Sequence, residues 1–85
     1  MAACDPQTFA NFTEARFDCL AQNALAATGV HMSANEGEAT KRGITLRWKF
    51  DPAAQTLEVQ CLAHPFIVTC DFVNQKIQEM VSGCP

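Results

Sequence analysis

Apolar and polar side chains alternate almost without interruption between Ile44 and Leu62. Ile44, Leu46, Trp48 and Phe50 are separated by Thr45, Arg47 and Lys49, while Leu57, Val59 and Cys61 are separated by Glu58 and Gln60. A period of two marks half-buried strands, and two such runs in succession predict a hairpin with one dry and one wet face. Its register follows from parity, because a slip of one residue turns every side chain over. A two-residue loop at Pro52-Ala53 would keep the apolar rows together, but such turns need positive φ, which proline cannot adopt. The four-residue loop Pro52 to Gln55 remains. It sets Asp51 opposite Thr56, Phe50 against Leu57, Trp48 against Val59 and Leu46 against Cys61, with Lys49 against Glu58 and Arg47 against Gln60 on the wet face.

On either side of the hairpin the spacing changes to threes and fours. Asp5-Pro6 joins a capping side chain to a proline at the first helical position, so a helix is expected to open there. Its apolar stripe would hold Phe9, Phe12, Thr13, Phe17, Leu20, Ala24 and Ala27, bordered by Arg16 and Asn23, and Thr28-Gly29 would stop it. Asp71 is expected to cap a second helix, with Val73, Ile77, Met80, Val81 and Cys84 on one face and Gly83 at its end. The stretch from Val30 to Gly43 has the weakest periodicity. An unstructured loop of that length is uncommon in a small domain, so Glu38 to Lys41, turning back through Arg42-Gly43, is expected to add a strand beside Ile44 to Phe50, with Val30 to Met32 as the second candidate. After the hairpin, Ala63-His64-Pro65 breaks the pairing because proline has no amide to donate, and Phe66 to Thr69 reads as a further short strand. The fold class expected is α+β: residues 1–85 form one domain, with an N-terminal helix, a small antiparallel sheet of three to four strands and a C-terminal helix, both helices on one face of the sheet.

Composition narrows the possible partners. The net charge is −3, and no basic run exceeds Lys41-Arg42, which argues against nucleic acid and anionic membrane. No apolar run approaches the roughly 20 residues of a membrane span, and no hydrophobic leader follows a basic start, so cytoplasmic residence is expected. Ala2 and Ala3 before Cys4 do resemble the small residues that precede a lipoprotein cysteine. An exported or lipid-anchored protein that begins after a signal removed at Cys4 is therefore the alternative. The five cysteines are an odd number, which leaves at least one thiol unbridged. In the cytoplasm all five are expected to be reduced. In an exported protein Cys4 to Cys84 is the expected bridge, although antiparallel helices would also bring Cys84 towards Cys19.

Cys61, His64 and Cys70 form C-x2-H-x5-C from residue types that bind zinc, but parity places Cys61 among apolar side chains, where a small thiol serves as a core residue. Cys70, at the start of the last helix, is the best-placed nucleophile, yet neither His31 nor His64 has an evident orienting partner, and Asp71 would oppose a thiolate. His31 with Met32 reads as a strand-edge pair. Ser33 and Ser82 lack catalytic context, Glu36 and Glu38 read as solvated, and the sequon Asn11-Phe12-Thr13 is discounted because it falls in the expected helix. No catalytic residue, metal or cofactor is expected.

Six phenylalanines and one tryptophan accompany a sheet with a single dry face. That surplus suggests a non-enzymatic binding module acting by self-association or protein–protein contact. The alternative is a carrier that holds a small apolar ligand between sheet and helices, lined by Phe9, Phe17, Trp48 and Met80. Arg16 is the candidate anion-binding group; its plainer reading is an aliphatic stem on the core edge with its head in water. Trp48 and Phe50 are expected to lie in the core.

Overall fold

The computed structural model describes residues 3–84 and runs β1 (Gln7–Phe9), α1 (Glu14–Thr28), β2 (Glu36–Lys41), β3 (Ile44–Asp51), β4 (Thr56–Ala63) and α2 (Cys70–Ser82). Met1, Ala2 and Pro85, including the first alanine of the lipoprotein-like pair, lie outside the described residues. The architecture is α+β, with a four-stranded antiparallel sheet in the order β1-β4-β3-β2. No helix among the described residues is long and apolar enough to cross a membrane.

The hairpin pairs as parity requires, from Asp51 with Thr56 through Trp48 with Val59 to Leu46 with Cys61. Its four-residue loop is held by Asp51, whose Oδ1 accepts the amides of Ala53 and Ala54 at 3.1 Å each, the local turn that short acidic side chains favour. At the far end Thr45 faces Ala63, so Leu62 is the extra residue of a bulge. The weakly patterned segment does supply a strand, β2, which reaches back to Glu36 and turns through Arg42 and Gly43, both at positive φ. Gly37 lies under the indole of Trp48, where a Cβ would come within 2.6 Å of Cζ2. The indole Nε1 donates to the Ala34 carbonyl at 2.9 Å, and this contact carries the ring across β2.

The first helix does not open at Asp5-Pro6. Gln7–Phe9 instead pairs antiparallel with β4, and Asn11 reverses the chain at φ 55°. Thr13 is the cap, accepting the Arg16 amide at 3.2 Å. The strand prevails because it satisfies the outer backbone groups of β4 and places Phe9 opposite Leu57. Phe12 then drops into the core, fully buried. Phe66 to Thr69 is not a strand either: the Val68 amide closes a turn on the Pro65 carbonyl, and Phe66 and Ile67 are 87% and 78% exposed. Both sides of β3 and β4 are already occupied, so this run finds no place beside the hairpin it follows. Thr69, not Asp71, caps α2 by accepting the Phe72 amide. Gly29 stops α1 in the left-handed conformation, and Gly83 ends α2.

Trp48, Phe50, Leu57, Val59 and Cys61 line the dry face and meet Phe17, Leu20 and Ala24 of α1 and Val73, Ile77 and Val81 of α2. Phe17 stacks on Phe50 with 4.7 Å between ring centres, and Phe12 meets Phe50 edge-on at 6.0 Å.

Two disulfides overturn the expectation of five free thiols. Cys4 is bridged to Cys70 and Cys19 to Cys84, with Cα separations of 5.5 and 5.7 Å, while Cys61 is free and buried. The bridge expected on export, Cys4 to Cys84, does not form. A helix starting at Pro6 would have carried Cys4 away from α2; the strand instead lays it beside β4, where its amide donates to the Cys61 carbonyl and its carbonyl accepts Gln60 Nε2. Both ends of α2 are thereby tied down.

Candidate functional site

A cleft of about 380 Å³ opens between the C-terminal end of α1, the β2–β3 turn and the first turns of α2. That volume lies within the range of small-molecule sites. Val30, Ile44, Leu46, Ile77 and Met80 supply an apolar lining, and three cations, Lys41, Arg42 and Lys76, stand around it; among the described residues no carboxylate contributes. Half of the basic residues of a net-negative chain therefore gather at one apolar depression. The fold brings them there by separate means. Arg42 occupies the tight turn, and the stem of Lys41 crosses the end of α1, where a Cβ on Gly29 would meet Lys41 Cε at 3.1 Å. α1 has no basic residue in its own last turn, so Lys41 supplies the cation that the helix dipole favours. Lys76 projects from α2, near the Phe72 ring and 3.6 Å from Glu79, an exposed pairing that solvent largely screens.

Of the residues singled out in the sequence, Met80 lines this cleft. Trp48 lines a smaller void of about 30 Å³ that shares Val30, Leu46, Ile77 and Met80 with the cleft. Phe17 lies in the aromatic cluster with Phe12 and Phe50, and Phe9 packs 6.4 Å from Phe12, so neither borders the cleft. Arg16 is half-buried over the Phe12 ring, with Nε and Nη1 donating to the carbonyls of Cys84 and Asn11. Sequence reasoning did not join the Lys41-Arg42 pair to Lys76 because the two places lie more than thirty residues apart in the chain and meet only when β2 and α2 fold onto the end of α1.

A second grouping lies where β4 runs into α2. Cys61 lies in the core, as its place on the dry face predicts, and not with His64 and Cys70: it donates to the Ala63 carbonyl, and burial pushes its thiol pKa up. Cys4 takes its place. The donor atoms of Cys4, His64 and Cys70 lie within 4.8 Å of one another, with His64 Nε2 3.6 Å from Cys70 Sγ. His64 has an orienting partner that the sequence did not reveal, the Pro65 carbonyl 2.9 Å from Nδ1. The sequon asparagine, Asn11, lies in the exposed turn before α1 and not within the helix. No protein-family model matches this chain, and neither a curated protein nor a solved structure does so.

Proposed function

We propose that this protein is a non-enzymatic binding module whose cleft takes an amphipathic anion, an alkyl chain ending in an acidic group. The observation that carries this reading is the gathering of Lys41, Arg42 and Lys76 around an apolar cavity to which no acid among the described residues contributes. Each methylene buried contributes about 0.8 kcal/mol, so the alkyl chain supplies most of the affinity and the cations select the head group. The disulfides favour the exported alternative over cytoplasmic residence, because such bridges persist where the surroundings are oxidising. The test is titration with medium-chain alkyl carboxylates and with alcohols of the same length, followed by the fluorescence of Trp48 beneath the cleft. The carboxylate should bind more tightly than the alcohol, and Lys41→Glu with Arg42→Glu should abolish that preference. Binding of neither compound, or an equal response to both, refutes it.

A second reading, contact with protein through an apolar surface, is favoured by Phe66, Ile67 and Phe72, which are exposed. Pro65 packs on Gly43, so this turn adjoins the cationic rim. A solution mass above the monomer that falls to the monomer in the Phe66→Ser, Ile67→Ser variant supports self-association; a monomeric wild type rules it out.

A further inference from the structure

We propose that reduction of the Cys4–Cys70 bridge converts the corner between β4 and α2 into a zinc site, with Cys4 Sγ, Cys70 Sγ and His64 Nε2 as ligands and water in the fourth position. Zinc bonds sulfur at about 2.3 Å and imidazole nitrogen at about 2.0 to 2.1 Å, which in a tetrahedron separates sulfur from nitrogen by about 3.6 Å. His64 Nε2 stands 3.6 Å from Cys70 Sγ. The same geometry requires the two sulfurs to part from bonding distance to about 3.8 Å, a movement that side-chain torsions provide while the Cα atoms keep their 5.5 Å separation.

The histidine is oriented for the task. With Nδ1–H donating to the Pro65 carbonyl, the lone pair lies on Nε2 and faces a bridged sulfur that has no proton to give. A ligating histidine held through its other nitrogen by a backbone carbonyl is the usual outer-shell arrangement of zinc sites. The other bridge lacks this feature, since Cys19–Cys84 is accompanied by the amide of Asn23, which donates 3.2 Å from Cys84 Sγ. Each ligand also has an anchor independent of the disulfide: Cys4 is hydrogen-bonded to β4 on both sides, His64 follows the last residue of β4, and Cys70 opens α2 behind the Thr69 cap. Asp5 and Asp71, the exposed acids beside the two cysteines, oppose a bare thiolate but favour a dication.

The chemistry balances with a two-electron reductant, a dithiol in a cell or a phosphine in vitro. The S–S bond breaks, the two sulfurs take up two electrons and two protons, and the reductant is oxidised. Zinc then displaces both thiol protons to solvent as it bonds two thiolates and the Nε2 lone pair.

The test uses the full chain, oxidised or reduced with a phosphine and desalted without oxygen, titrated with Zn²⁺ against a chromogenic chelator and with Co²⁺ as a spectroscopic probe. One metal per reduced chain, thiolate-to-cobalt charge transfer, and no binding by the oxidised chain are expected. His64→Ala should lower the affinity of the reduced chain about tenfold or more. The Cys19→Ala, Cys84→Ala variant, once reduced, should keep its metal, which assigns the binding to Cys4, His64 and Cys70 and not to the second pair; because reduction opens both bridges, the metal also supplies folding free energy to the reduced chain. No binding by the reduced chain, equal binding by the oxidised chain, or loss of the metal with Cys19 and Cys84 overturns the assignment.

Discussion

Replacing Cys19 and Cys84 together by alanine removes the tie between the middle of α1 and the end of α2 and leaves Cys4–Cys70 intact. The size of the effect follows from chain topology. The bridges span 66 and 65 residues and overlap, so each shortens the loop that the other closes. With Cys4–Cys70 in place, the shorter path from Cys19 to Cys84 runs back to Cys4, across the bridge and on from Cys70, a circuit of about 30 residues. Closing such a loop in the unfolded chain is worth about 3.6 kcal/mol, whereas the first bridge, closing the full span alone, is worth about 4.4 kcal/mol. A chain of this length has a total stability of roughly 4 to 13 kcal/mol, so the variant should fold, with a thermal midpoint lowered by about 20 °C. Alanine at all four positions should remove about 8 kcal/mol and leave the chain unfolded or marginal. Thermal melts followed by circular dichroism, with intact mass confirming the remaining bridge, measure both. A midpoint within a few degrees of wild type would mean that the reduced chain is already as restricted as the bridged one, and the loop argument would fail.

Four further outcomes follow from the core. Trp48→Ala should cost about 3 to 5 kcal/mol in chemical denaturation, since the indole is buried and its Nε1–H is bonded to Ala34; an unchanged midpoint would place it outside the core. Gly37→Ala should cost about 1 to 3 kcal/mol because the new Cβ would overlap the indole, and the cost should largely vanish beside Trp48→Ala, a coupling that a double-mutant cycle reads directly. Cys61 should resist alkylation in the native protein and yield a single adduct by intact mass after denaturation without reductant. Because burial raises its pKa, folding favours the protonated thiol; that contribution is complete below the ordinary thiol pKa of about 8.5 and is lost as pH rises through the higher folded value, so denaturation midpoints should fall on the alkaline side.

The hairpin was legible because period-two patterning, loop chemistry and parity constrain one another, and every pair from Asp51–Thr56 to Leu46–Cys61 follows from them. β2 was legible in part: Arg42-Gly43 marked the turn, but nothing local showed that Gly37 must lack a side chain to admit Trp48 from the next strand. Phe9 and Phe12 misled because their spacing suits a helix as well as a strand followed by an inserted side chain. Thr13, expected within the apolar stripe, is the cap in place of Asp5-Pro6, and the decision comes from the unpaired edge of β4, a non-local quantity. Once that edge was assigned to helix, Cys4 was sent away from Cys70, and the reading of the thiols went wrong with it.

The two candidate sites were hidden for a related reason. Each is assembled from residues that are commonplace where they stand: a lysine and an arginine at a turn, another lysine on an exposed helix face, a histidine before a proline, a cysteine near the start of the chain. Cys61-His64-Cys70 drew notice because its members are close in sequence, yet parity had already turned Cys61 inward, and the vacancy this leaves beside His64 can be filled only from a neighbouring strand. β1 is that strand, and its antiparallel course delivers Cys4 to the end of β4 just as the chain turns into α2. The short strand that displaced the start of the helix is thus also what places a second sulfur within reach of His64, so one error of secondary structure concealed both the disulfide and the ligand set.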